Sequence, residues 1–177
     1  MLILMAGLPG TGKTTIARQL AERLHATILS KDTVRHALFP PELVEYSTVQ
    51  DDFVIEVLLL TAVYIWSRNP QQIIILDGRT FSTAAQRQHV IEFAQRAGQG
   101  WRIVECVCPD EIARRRLSQP DPMHPAGNRT PELYDEVKRC WEPITEERLV
   151  VRTDQPVDID AIISPLIPYW PHDSSVG

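Results

Sequence analysis

The strongest constraint on this chain lies at its start. An apolar run, Leu2-Ile3-Leu4-Met5-Ala6, passes directly into Gly7-Leu8-Pro9-Gly10-Thr11-Gly12-Lys13-Thr14-Thr15. The spacing G-x-x-x-x-G-K-T reads as a strand entering a phosphate loop that opens a helix. Its glycines stand where the backbone must take conformations that a side chain forbids, so consecutive N–H groups turn inward as a cradle for anionic oxygens. Gly7, Pro9, Gly10, Thr11, Gly12 and Thr15 belong to that cradle as nucleotide-binding positions, and Lys13 adds a mobile positive charge. Thr14 offers a hydroxyl to Mg²⁺, and the helix beginning near Gly12 adds the positive end of its dipole. The bland alternative is a glycine-rich turn that binds nothing. It is disfavoured because the motif matches at every position and the strand and helix patterns flank it on the correct sides.

With 177 residues and 44% apolar content the chain is long enough for one well-buried core but not for two ordinary domains, so a single domain over residues 1–177 is expected. The net charge of -5 signals no overall basic field for sequence-blind nucleic-acid binding, although a local basic groove stays compatible with it. The first residues lack both a charged segment before the apolar run and a small-residue cleavage site after it, so a core strand is expected rather than a secretion signal. A cytoplasmic location follows from that reading. The greasy stretch Val57 to Trp66 is too short to span a bilayer, and no membrane anchor is expected. Cys106, Cys108 and Cys140 form an odd set without the density of a disulfide scaffold, and neither they nor the five histidines show a metal-ligand spacing. All three read as reduced thiols, and Cys106 and Cys108, two apart on one strand face, as buried small apolar groups.

Along the chain, Ile16, Ala17, Leu20, Ala21 and Leu24 recur at helical spacing and predict a helix from about Gly12 to His25. Ala26 to Ser30 reads as a second strand. Lys31-Asp32-Thr33-Val34-Arg35 then starts a helix that either Asp32 or Ser30 can cap, and Phe39-Pro40-Pro41 breaks it. The stretch to Gln50 reads as a surface connection, and Asp51-Asp52 opens a long helix ending at Arg68-Asn69-Pro70. That helix is greasy all round and needs cover from its own domain or from a second subunit, so a homodimer is a possible state. Gln72 to Asp77 is a third strand whose unbroken apolar run fits a central parallel position, with Asp77 at its carboxyl end. A helix capped by Ser82 and stopped by Gly98 follows, then a fourth strand from Trp101 to Cys108 and a short helix with three consecutive arginines, Arg114 to Arg116. An irregular Pro- and Gly-bearing stretch makes residues 114–130 a candidate lid. Thr130-Pro131 starts a helix with Leu133, Val137, Cys140, Trp141 and Ile144 on one face; Arg148 to Arg152 contains a fifth strand, and Val157 to Leu166 a last helix. Alternating strands and helices demand an α/β fold with parallel strands, helices on both faces, and ligands at the strands' carboxyl ends.

On these residues the sequence resembles the kinase branch of phosphate-loop (P-loop) NTPases, and more narrowly the small kinase-like proteins that include polynucleotide 5′-kinase domains, chloramphenicol phosphotransferase and zeta toxins. The resemblance rests on Gly7 to Thr15, Ser30 to Arg35, Leu76-Asp77-Gly78, Ala113 to Leu117 and His124 to Gly127. It implies a five-stranded parallel sheet with the phosphate-loop strand in the middle, between the strands ending at Asp77 and Pro109, and a short lid. It also implies ATP and Mg²⁺ as cofactors. By the same resemblance, Asp32 positions and deprotonates an acceptor hydroxyl, Arg35 binds acceptor or phosphate, Asp77 holds Mg²⁺ or stands near the acceptor, and Arg79 contacts the acceptor. Without it, Asp32 is equally well a helix cap and Asp77 a hydrogen-bonded strand-end carboxylate. Arg115, Arg116 or Arg129 is left to stabilise the transferring group, and at least one of the three consecutive arginines reads as a solvated face. The lid's arginine spacing departs from the relatives, since four residues on from Arg115 or Arg116 stand Gln119 and Pro120. Thr153-Asp154-Gln155-Pro156 resembles the loop beside adenine.

These readings make the expected function an ATP-dependent kinase acting on a hydroxyl. A polynucleotide 5′-hydroxyl kinase is the alternative within that class, and a non-kinase ATP-binding switch or ATPase the alternative outside it. Charge favours a small-molecule acceptor over a nucleic-acid 5′ end. The stretch from Phe39 to Asp52 carries Glu42, Glu45, Asp51 and Asp52 without a base, and an acidic rim repels a phosphate chain.

Overall fold

A computed structural model describes residues 1–119 and 127–167. Five strands, β1 (Leu2–Ala6), β2 (Thr27–Ser30), β3 (Ile74–Asp77), β4 (Trp101–Val107) and β5 (Arg148–Arg152), form a sheet in the order β2-β3-β1-β4-β5, every neighbouring pair parallel. The helices are α1 (Lys13–Leu24), α2 (Lys31–Leu38), α3 (Thr48–Arg68), α4 (Ala84–Arg96), α5 (Asp110–Leu117), α6 (Pro131–Arg139) and α7 (Ile159–Leu166). The phosphate-loop strand stands in the centre, as the resemblance implied.

The reason for the unbroken apolar run in β1 is that both of its faces are covered. Leu2, Leu4 and Ala6 pack with Val54 and Leu58 of α3 and with Val90 and Ile91 of α4. Ile3 and Met5 point the other way, toward Ile16 and Leu20 of α1 and Ile162 and Leu166 of α7. Each such fully buried Leu or Ile stabilises the fold by about 1.5–3 kcal/mol, so the strand that carries the phosphate loop is also among the most firmly held. Among the described residues, no helix is long and apolar enough to cross a membrane.

Several boundaries differ from those expected, and capping explains them. Ser47 accepts from the Gln50 N–H at 3.2 Å, which starts α3 at Thr48 rather than Asp51. Gln50 is then buried rather than part of a loose surface connection: its side chain accepts from Glu45 N–H at 2.7 Å and donates to the Leu43 carbonyl at 2.9 Å. Thr83, not Ser82, caps α4. Asp158 caps α7 and starts it at Ile159, two residues after Val157. α6 stops at Arg139, because Pro143 cannot extend it, and Ile144 reaches the core from the irregular segment that follows. Cys106 is buried as expected, but Cys108 is half-buried; Cys140, at the end of α6, is exposed. Much of the candidate lid, including His124-Pro125-Ala126, falls on residues 120–126 and lies outside the described residues.

Candidate active site

The loop after β1 takes its shape from two glycines that tolerate no side chain. Gly7 has φ +138°, and a Cβ on it would lie 2.4 Å from the Cys106 carbonyl oxygen; Gly10 has φ +77°, and a Cβ there would lie 2.6 Å from the Ala113 carbonyl oxygen. Thr11 ties the loop internally by donating its hydroxyl to the Leu8 carbonyl at 2.8 Å. Lys13 folds over the same loop, its Nζ donating to the Gly7 and Leu8 carbonyls at 2.8 and 2.9 Å. Burial pushes the Lys13 pKa below the usual lysine range, with the charge of Asp77 pulling it back up. An arriving phosphate therefore meets a cation whose present partners are neutral carbonyls. Pro9, Gly10, Gly12, Thr14 and Thr15 line one cleft of about 830 Å³ together with Asp32, Arg35, Arg79, Arg116 and Arg129.

Asp77 ends β3 beside the loop strand, and its Oδ1 is buried without a hydrogen-bond partner among the described residues. A buried, unmet carboxylate oxygen is costly unless a cation or water completes it. A hard oxygen donor of this kind, with the Thr14 hydroxyl in the loop, fits Mg²⁺, which keeps waters and phosphate oxygens and takes one or two protein ligands. No group of three or more His, Cys, Asp or Glu that could hold a metal occurs among the described residues.

The residues that the sequence assigns to an acceptor gather at the end of β2. Ser30 caps α2, accepting from the Thr33 N–H at 3.4 Å, so Asp32 is released from the capping role that the sequence also allowed. The Asp32 carboxylate is buried, 3.5 Å from Lys31 Nζ and 3.5 Å from a guanidinium nitrogen of Arg35. Lys31 Nζ also donates to both carboxylate oxygens of Asp51 at 2.8 and 2.9 Å. Arg35 is fully buried; it contacts the Asp51 carboxylate and lies 5.0 Å from the centre of the Tyr46 ring. Arg79 pairs with Asp52 at 2.6 Å. Burial pushes the Lys31 pKa down to about 8; Asp32 opposes the shift, while Arg35 and Arg79 add to it.

Two of the four acids of the expected rim are engaged: Asp51 is a counter-ion to the buried Lys31 and Arg35, and Asp52, 60% exposed, pairs with the nearly buried Arg79, while Glu42 and Glu45 stay exposed. Lys31, Tyr46 and Asp51 also line the cleft, and sequence reasoning left them unassigned, since the pairs that recruit them form between separate elements. Sequence reasoning missed Arg87 too. Fully buried in α4, it holds Glu146 at 3.0 Å, the Phe81 carbonyl at 3.1 Å and the Pro143 carbonyl at 3.2 Å, which fixes the turn carrying Arg79.

The three consecutive arginines part company. Arg114 pairs with Asp135 and lies 5.2 Å over Tyr134, tying α5 to α6. Arg115, expected at the nucleotide, is exposed and does not line the cleft. Arg116 donates to the Gly10 carbonyl at 3.3 Å and to the Thr153 hydroxyl and carbonyl at 3.1 and 2.6 Å. Thr153 in turn donates to the Thr11 carbonyl at 2.8 Å, so the segment after β5 is fastened to the phosphate loop.

The AAA domain family matches residues 2–122 of the chain. A candidate kinase from Chloroflexus aurantiacus J-10-fl superposes with a TM-score of 0.71 at 24% identity, over 93% of this chain and 95% of that one. The Mycobacterium tuberculosis APS kinase CysC, in complex with AMPPNP and APS, gives 0.66 at 18% identity over 94% and 95%. Chaetomium thermophilum Kti12, in complex with ADP-AlF3, gives 0.66 at 18% identity over 94% and 97%. No curated protein matches the chain. At these identities the likeness shows the fold, a P-loop kinase-like α/β domain.

Proposed function

The chain belongs to the AAA domain family, and from that premise we propose that it is an ATP- and Mg²⁺-dependent phosphotransferase moving the γ-phosphoryl group to a hydroxyl of a small-molecule acceptor. The observation that carries the reading is one cleft in which a phosphate loop shares its walls with a buried carboxylate that has no capping duty. Phosphoryl transfer passes through a loose transition state, so catalysis rests on an aligned hydroxyl and on neutralised charge more than on a strong base. The loop N–H groups and Lys13 hold the phosphates. Asp32 orients the acceptor hydroxyl and takes its proton as the new O–P bond forms and the bond to the ADP oxygen breaks. Lys31 and Arg35, each 3.5 Å away, keep the Asp32 carboxylate in place. Arg116, already at Gly10, neutralises charge on the transferred group. Thr14 and Asp77 would hold Mg²⁺, which would supply charge neutralisation at the phosphates.

The acceptor choice follows from the ion pairs. Lys31, Arg35 and Arg79 each contact a carboxylate of this chain, and a strand backbone would have to displace those partners to win its several phosphate contacts. The experiment is transfer from γ-labelled ATP to a panel of small hydroxyl compounds and to a 5′-hydroxyl oligonucleotide, at low and at physiological salt. A labelled small molecule supports the proposal. Efficient, salt-sensitive labelling of the oligonucleotide assigns a polynucleotide kinase instead, and phosphate release without any labelled acceptor assigns an ATPase.

A further inference from the structure

α3 is apolar nearly all round, yet only one side of it is buried in the domain's core; on the other, Glu56 pairs with His89 of α4 among apolar residues that stay exposed. Val54, Leu58, Ala62 and Trp66 are buried toward the sheet. On the other side Val49 is 80% exposed, Phe53 54%, Leu60 68% and Tyr64 63%, with Val63 beside them. These positions recur at helical spacing and form one stripe along a helix about 30 Å long. Phe39, stacked edge-on to Phe53 at 5.8 Å between ring centres, widens the stripe near the start of α3.

Charge selects the occupant. The charged residues of α3 are Asp51, Asp52 and Glu56 in its first half and Arg68 at its end. Three acids against one base disfavour an anionic lipid surface, which draws helices with a basic polar face. A second copy of α3 running antiparallel suits the same pattern. It brings Arg68 of each copy within a turn of the exposed faces of Asp52 and Glu56 of the other, carboxylates that also hold Arg79 and His89 of their own domain, and a two-fold axis forms that contact twice. The exposed apolar side chains of both copies together offer on the order of 1,000 Å², the size at which a specific interface becomes stable.

We propose that two copies of this chain associate through α3, antiparallel about a two-fold axis near Leu60, with Phe53, Val63 and Tyr64 packed around it. The test is sedimentation equilibrium of the full chain from about 1 to about 100 μM, a range that brackets an interface of this size. Wild type sediments as a dimer. Leu60→Glu, at an exposed position that the domain itself does not need, keeps its circular dichroism and weakens association by about 100-fold or more. Phe53→Ser provides the same test without an added charge. Arg68→Glu weakens the dimer, and Arg68→Glu combined with Glu56→Arg restores it, as only the antiparallel arrangement requires. A monomeric wild type across the range, a dimer that Leu60→Glu leaves intact, or a double variant no tighter than Arg68→Glu alone overturns the proposal.

Discussion

The end of the cleft proposed for the nucleotide is made from consecutive residues, Gly7 to Thr15, shaped by their own backbone conformations, and its cation, Lys13, is bonded within the same loop. The end proposed for the acceptor is assembled from Lys31 to Arg35, Tyr46 to Asp52, and Gly78 to Arg79, drawn together by ion pairs and one cation–π contact between separate elements. One end is fixed by local geometry. The other is fixed by a balance of buried charges, so it is the end where substitution and pH should act on stability and specificity together.

The most damaging way to break this division is Lys13→Ala. Turnover should fall by about 10³-fold or more whichever acceptor is supplied, because the phosphates lose their mobile cation, while the melting temperature stays within a few degrees of wild type. Comparable ATP turnover in the variant would remove the loop from the nucleotide site.

At the opposite end, Arg35→Met should act mainly on stability. It deletes a fully buried cation and leaves Asp32 and Asp51 close together with only Lys31 between them, a loss of about 3 kcal/mol by analogy with broken buried pairs. Urea unfolding measures it, and the folded fraction should still bind nucleotide. A variant as stable as wild type would show that the acceptor end is not held by this charge.

Arg116→Ala sharpens the boundary between the two ends. Its guanidinium spans Gly10 and Thr153, so kcat should drop by about 10²-fold, whereas the exposed neighbour substitution Arg115→Ala should change kcat by no more than about twofold. Equal effects would deny Arg116 its special position.

The smallest expected effect is a pH limb. Lys31 holds Asp51 while protonated, and in the folded chain it releases its proton near pH 8, against about 10.4 in an unfolded chain. Acceptor KM should therefore rise severalfold as pH passes upward through about 8, and Lys31→Arg, which stays charged, should flatten the limb. The sign for stability is opposite. Between those two values the unfolded chain binds more protons, so the Lys31 contribution to stability increases with pH there. A KM profile that is the same in both proteins would separate Lys31 from acceptor binding.

The contrast between the ends also explains what the sequence disclosed. The phosphate loop, the alternation of strands and helices, and the central place of β1 were legible because each is written in neighbouring residues: a fixed spacing, an uninterrupted apolar run, a helical period. Asp32 and Arg35 were singled out by resemblance, and the structure places both in the cleft, but their surroundings were not legible. That Asp51 serves Lys31 and Arg35, and Asp52 serves Arg79, depends on α3 crossing the ends of β2 and β3, and no local pattern announces which acids a buried base will take. The same blindness entered the reading of the acidic rim, where counting charges along Phe39 to Asp52 missed the counter-ions of Asp51 and Asp52. Cap choices at Ser30, Ser47 and Thr83 turned on which of several neighbouring oxygens faces the helix end, a difference of one rotamer that spacing does not reveal.

The central claim is that the carboxylate beside the phosphate loop handles the acceptor and not the nucleotide. Asp32→Asn tests it on one preparation, with ATP-analogue affinity measured by titration calorimetry and γ-phosphate transfer measured with the acceptor found in the hydroxyl panel. The account predicts unchanged nucleotide affinity and transfer reduced by about 10²- to 10⁴-fold. A variant that loses its affinity for the nucleotide, while transferring at the wild-type rate once nucleotide is bound, would contradict it.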